Sequence, residues 1–153
     1  MCIDINRIMD MLDWNNDEDI QAEGRRLAGN VKCLKIFMQP GDKQYGKNVW
    51  DNCALIINEK SDDLLKPYIL ELLDWLQDLN WPGACVILKR LQNFQDYEWL
   101  AWALKERVRL AKADNDEIWL SYMAELAVGG KVFDYLSDET KSILLKSLEE
   151  NDD

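Results

Sequence analysis

Apolar residues recur at helical spacing through most of the chain. The clearest run is PYILELLDWLQDLNWPGACVILKRL, residues 67–91. Ile69, Leu72, Leu73 and Leu76 fall at i, i+3, i+4 and i+7, and Ala84, Ile87, Leu88 and Leu91 repeat that spacing. Each half therefore carries the single apolar stripe of an amphipathic helix. Between them lies Asp78-Leu79-Asn80-Trp81-Pro82, which offers Asn80 as an N-cap and Pro82 for the first turn, where a missing N–H costs nothing. Helices joined this closely fold back on each other.

The same reading covers the rest of the chain. Ile5, Ile8, Met9 and Leu12 share one face of a short helix over 3–13. Asp17-Glu18-Asp19 opens a second helix, because acids in a first turn complement the helix dipole, and Asn16 can cap it. Its apolar positions are Ile20, Leu27, Val31, Leu34 and Phe37, so it extends to Pro40-Gly41, with Gly24 marking a close helix contact. A loop follows over 40–46, then a helix from Lys47 to Glu59 with Val49, Trp50, Cys53, Ala54 and Ile57 on its apolar face. Ser61-Asp62-Asp63 breaks the chain, and Pro67 starts the next helix after a preliminary turn. Beyond residue 91, helices are expected over 96–113 (bearing Trp99, Trp102, Ala103 and Leu110), 117–127 (bearing Ile118, Tyr122 and Leu126) and 137–148. Gly129-Gly130 stops the second of these and Ser137 caps the third, leaving a frayed acidic end at 149–153.

No stretch alternates with period 2 over a useful length, although LKIFMQ (34–39) has some strand character. The pattern predicts one all-α domain over residues 1–153. Ile20, Val49, Ala84 and Ile118 each stand near a helix start, 29, 35 and 34 residues apart. That periodicity matches HEAT-like helical hairpins stacked in a short α-α superhelix. The alternative is an irregular helical bundle.

Charge narrows the function classes. The chain has 29 acids against 18 bases, a net charge of −11, and the excess is spread over both halves. A surface that tracks phosphates needs a basic stripe, so nucleic acid is not an expected partner. An acidic surface suits a basic protein partner, although solubility alone also favours one. Cys2, Cys33, Cys53 and Cys85 form no C-x-x-C pair and read as reduced core residues of a cytoplasmic protein. The start lacks the features of a signal peptide, no apolar run is long enough to span a membrane, and the ends read as those of a full-length chain.

Candidate chemistry is sparse. The chain has no histidine, which removes the commonest general base and the nucleophile systems built on it. Gly41-Asp42-Lys43-Gln44-Tyr45-Gly46-Lys47-Asn48 meets the G-x-x-x-x-G-K part of a phosphate-binding loop, but Asn48 stands where a magnesium-binding hydroxyl is needed. A polar loop entering a helix is the better reading. Asp114-x-Asp116 and Asp13-x-Asn15-x-Asp17 resemble the start of calcium loops, but neither continues with the required ligands and glycine, and helix capping accounts for both. Glu71, Asp74 and Asp78 share one helix face opposite the leucine stripe, as a solvated face would. No catalytic residue, metal or cofactor is expected. Of the seven tryptophans, most should be core; Trp81 and Trp119 sit in first turns, where rings are more often partly exposed.

Within the opening stretch, LLDWLQDLNWPGA (72–84) resembles the L-L-E-W-L-Q-D-x-N-W-P-V-A signature of a bacterial family of small HEAT-like α-helical domains of uncharacterised function. Asp96-Tyr97-Glu98-Trp99 is similar to the D-D-E-W that follows it, and the likeness covers roughly residues 67–127, with Asp74 in place of Glu and Gly83 in place of Val. The resemblance implies an immunity-type inhibitor that neutralises a cognate bacterial toxin domain, and it supplies no catalytic residues. The expected function is a protein-binding module with a basic partner. Its expected contact residues are Asp17, Glu18, Asp19, Asp114, Asp116 and Glu117, with Trp81 and Trp119 as aromatic anchors. A helical-repeat scaffold with an endogenous partner is the second expectation, and nucleotide binding through Gly41–Lys47 is a distant third.

Overall fold

The computed structural model describes residues 4–40 and 45–150. Among these the regular structure is entirely helical. The α-helices are α1 (Ile5–Met11), α2 (Glu18–Ala28), α3 (Trp50–Asn58), α4 (Asp62–Leu65), α5 (Ile69–Asp74), α6 (Ala84–Gln92), α7 (Tyr97–Ala113), α8 (Glu117–Ala127) and α9 (Asp138–Glu150). Short 3₁₀ turns at Leu34–Phe37, Lys47–Val49, Lys66–Tyr68, Trp75–Gln77 and Lys131–Tyr135 link or extend them.

Side-chain caps fix several of these starts. Asp4 accepts from the backbone N–H of Arg7, Ser61 from Leu64, Asp96 from Trp99, Asp116 from Trp119 and Ser137 from Thr140. Each satisfies one of the donors a helix N-terminus leaves open. Asp17 occupies the capping position of α2, but its side chain makes no capping bond.

α2 ends sooner than its apolar spacing predicts. Gly29 closes it, residues 31–33 have no regular structure, and Leu34–Phe37 is a 3₁₀ turn and not a continuing helix or a strand. The spacing persists because Val31, Leu34 and Phe37 are all buried in the same core, reached through a change of chain direction. Gly24 sits where α1 and α2 meet; a Cβ there would lie 2.8 Å from the Cβ of Met11.

Several helices pack on partners that are not their chain neighbours. α2 lies on α3, α3 on α6, α6 on α8 and α8 on α9, while α5 lies on α7 and α7 on α8. The architecture is thus compatible with a helical bundle or a short superhelix. The stretch at 67–91 is less of a closed hairpin than its sequence suggests. α5 packs mainly on α7 and α6 mainly on α3, and the Trp75–Gln77 turn supplies the contact across the junction. The predicted stripes Ile69, Leu72, Leu73, Leu76 and Ala84, Ile87, Leu88, Leu91 are all buried.

The junction itself is built around tryptophan. Asn80 does not cap α6; its own N–H donates to the Asp78 carboxylate at 2.8 Å, and Gly83 takes the capping position with φ of 82°. The Trp75 indole N–H donates to the Pro82 carbonyl at 3.0 Å. Trp50 packs edge-on against both Trp75 and Trp81, with ring centroids 6.1 and 5.5 Å apart. The Trp81-Pro82 step therefore fastens the turn to α3. Gly83 serves the same end, because a Cβ there would lie 2.6 Å from the Cβ of Ala54.

A second device recurs twice. In Asp96-x-x-Trp99 and Asp116-x-x-Trp119 the aspartate caps the tryptophan N–H, and the indole N–H reaches a carbonyl of an earlier segment. Trp99 donates to Lys66 O at 2.9 Å and Trp119 to Leu73 O at 3.0 Å. One short motif thus starts a helix and ties it to a segment further back in the chain, α7 to the Lys66–Tyr68 turn and α8 to α5.

Polar contacts join the first two helices to α3. Buried Asn52 donates to Leu12 O at 2.7 Å and to Gln21 Oε1 at 2.9 Å, and accepts from Arg25 at 2.5 Å. Of the cysteines, Cys53 is buried as expected, but Cys33 and Cys85 are exposed thiols; Cys2 lies outside the described residues.

Candidate functional site

The expected acidic contacts are placed at two helix starts. Asp17, Glu18 and Asp19 are exposed at the head of α2. Asp114 and Glu117 are exposed at the α7–α8 turn, with Asp116 half-buried between them. α3 and α6 stand between α2 and α8 in the packing order, so the two acidic turns belong to helices that are not neighbours in it. Glu18 is paired with Arg25 at 2.7 Å, and the Asp116 carboxylate is spent on its cap. Asp17, Asp19, Asp114 and Glu117 make no side-chain hydrogen bond or ion pair with the described residues.

The two aromatic anchors fare differently. Trp81 is half-buried against Trp50, with the Lys47 ammonium 6.0 Å from its ring. Trp119 is 3% exposed and is a core residue, not a surface contact. The reason is the phase of α8. Its buried face is Trp119, Leu120, Met123, Ala124, Leu126 and Ala127, while Ile118, expected on the apolar stripe, is 61% exposed. The exposed ring of α7 is instead Trp102.

Trp102 belongs to an aromatic surface that the sequence reading missed. It is 42% exposed and lines a groove of about 430 Å³ with Tyr135, which is 51% exposed. Behind each lies a half-buried ring: Trp99 is 4.8 Å from Trp102, and Tyr97 is 5.5 Å from Tyr135. The groove floor is Ala101 and Leu136, and Glu98 and Lys105 line it too. Trp102 and Tyr135 are 33 positions apart, and packing of Lys131–Tyr135 on α7 brings them together. The available signal was the helical phase of α7, whose buried residues Leu100, Ala103, Leu104, Val108 and Ala111 turn Trp102 outward.

The expected carboxylate face is split, with Glu71 and Asp74 on α5 and Asp78 in extended backbone beyond the Trp75–Gln77 turn, and each has a structural partner. Glu71 binds Lys35 at 2.7 Å, and Asp78 holds the turn at Asn80. Asp74 meets Arg107 of α7 twice, with Nε 2.7 Å from Oδ1 and Nη2 donating to Oδ2 at 3.1 Å. Burial nevertheless pushes the Asp74 carboxyl above its ordinary value of 3.8, outweighing the attraction of Arg107; the negative charge of Glu71 adds to the rise.

A raised carboxylate pKa has a definite sign. Folded Asp74 keeps its proton where the unfolded chain has lost it, so its contribution is full below 3.8 and is lost as pH rises through the folded value. Asp74→Asn cannot titrate. Urea unfolding of the variant across the acid range should therefore show it gaining on the native chain as pH rises above 3.8. The reverse trend would mean that the Arg107 pair dominates.

The phosphate-loop expectation gains no geometry. Residues 41–44 lie outside the described residues, and the segment upstream is a 3₁₀ turn at Leu34–Phe37. The Lys47 ammonium lies over the rings of Trp50 and Trp81. Among the described residues, no cluster of three or more acidic or thiol side chains is placed to hold a metal, and no helix is long and apolar enough to cross a membrane.

A family model, Domain of unknown function (DUF5071), matches residues 47–150. The chain belongs to this family. The match takes in α3 through α9, and so reaches beyond the 67–127 likeness in both directions. Within the matched region lie both Asp-x-x-Trp ties, the Trp50–Trp75–Trp81 cluster and the aromatic groove. α1 and α2 precede it and are joined to it through Asn52. No curated protein and no solved structure matches the chain.

Proposed function

We propose that this chain is a non-enzymatic protein-binding module that engages a basic partner through its acidic surface. More specifically, it is an immunity-type inhibitor of a cognate bacterial toxin domain, acting in the cytoplasm. The observation that carries this is the set of four exposed carboxylates, Asp17, Asp19, Asp114 and Glu117, left without partners among the described residues on a chain of net charge −11. Unpaired surface acids raise the encounter rate with a basic protein and disfavour acidic competitors.

The packing order supports a HEAT-like arrangement. α3, α6 and α8 start at Trp50, Ala84 and Glu117, 34 and 33 residues apart, and stack in that order. Stacked helical pairs present extended surfaces suited to binding. The same stacking favours the second reading, a scaffold for an endogenous protein.

A pull-down with the product of the gene immediately upstream separates the two readings. A stoichiometric complex that weakens as salt rises is the expected result. No complex with that product, alongside binding to a housekeeping protein, would favour the scaffold.

A further inference from the structure

We propose that the groove between Trp102 and Tyr135 is a docking site for an arginine-bearing segment of a basic protein. This rests on the reading of the chain as a binder of basic proteins and assigns that partner a contact away from the two acidic turns.

The groove is preorganised. Trp102 is backed by Trp99, whose indole is fixed to Lys66 O at 2.9 Å, and Tyr135 is backed by Tyr97. Two exposed rings above an apolar floor present π faces at little ordering cost. The charges nearby favour a cation. Glu98 lines the groove, and Asp134, Asp138 and Glu139 lie within two positions of its lining residues Tyr135 and Ser137 in the chain, while Lys66, 4.9 Å over the Trp99 ring, is paired with Asp96. None of the first four carboxylates has an ion-pair partner among the described residues, and they outnumber Lys105, the cation of the lining.

A guanidinium fits this chemistry better than an ammonium. It is flat and weakly hydrated, stacks on aromatic faces and bonds a carboxylate through paired donors. Stacking between the rings with its fork on Glu98 would use every feature of the groove.

The test is a titration of the full chain followed by the indole N–H signals in NMR, with Trp102 assigned through W102F. The probes are three blocked hexapeptides alternating glycine with arginine, lysine or citrulline. The arginine peptide should shift the Trp102 signal saturably, the lysine peptide should bind several-fold more weakly, and the neutral citrulline peptide should leave it unmoved. Glu98→Gln and Tyr135→Ala should each weaken the arginine peptide by up to about tenfold. Both changes are at exposed positions, and unchanged thermal unfolding would show that the fold is kept. A silent Trp102 signal, or equal response to arginine and lysine, overturns the assignment. If the groove is silent while the partner complex still forms and weakens on reversal of the acidic turns, this inference fails and the broader reading stands.

Discussion

Replacing Gly83 by alanine should cost roughly 2–5 kcal/mol of unfolding free energy in urea. Two effects add. At φ of 82° an L-residue brings its Cβ against the following carbonyl, worth about 1–2 kcal/mol. The new methyl would also lie 2.6 Å from Ala54 Cβ and 2.9 Å from Trp50 O, so α3 and the turn must separate. Overpacking of this kind typically costs about 1–3 kcal/mol. Gly129 separates the two contributions: its φ is 90°, but nothing lies within 4 Å of its built Cβ. Gly129→Ala should therefore cost only the backbone part. Equal losses at the two sites would show that the close approach of the turn to α3 is absent in solution.

Trp119→Ala should destabilise the chain by about 3–5 kcal/mol, the range for removing a large buried ring. Its neighbour Ile118, exposed on the same helix, should tolerate alanine within about 0.5 kcal/mol. Trp119→Phe keeps most of the volume and loses the indole donor to Leu73 O, for an expected cost of about 1–2 kcal/mol beyond any repacking. Denaturant midpoints for the three variants check the phase of α8 directly. A costly Ile118 change beside a mild Trp119 change would reverse it.

These two sites show what local pattern could and could not reveal. The starts of α7, α8 and α9 were legible because Asp96, Asp116 and Ser137 are capping residues followed by apolar periodicity. The end of α8 was legible from Gly129-Gly130. The end of α2 was hidden, because Val31, Leu34 and Phe37 keep helical spacing across a real change of direction. The face of α8 was misread because Ala124 and Ala127 are weak apolar signals beside Ile118 and Tyr122, although Trp119, Leu120 and Met123 pointed the right way.

Gly83 illustrates a different limit. The signature that residues 72–84 resemble has valine at that position, and here the glycine permits a left-handed residue and a closer helix contact. Both depend on Ala54 and Trp50, which the local sequence does not contain. The candidate site was legible in part. The acids at helix starts follow from dipole and capping rules. The Trp102–Tyr135 groove comes from packing between distant segments, which no local pattern encodes.

The proposed steering of a basic partner onto this chain rests on its free acidic side chains. Its most direct test is the association rate of the complex with the upstream gene product at low and physiological salt. The native chain should be compared with one carrying Asp17→Lys, Asp19→Lys, Asp114→Lys and Glu117→Lys. Those four positions spare the Arg25-paired Glu18 and the capping Asp116. The reversed chain should associate at least about tenfold more slowly at low salt, and the native dependence on salt should largely disappear. An unchanged rate with an unchanged salt slope would contradict it.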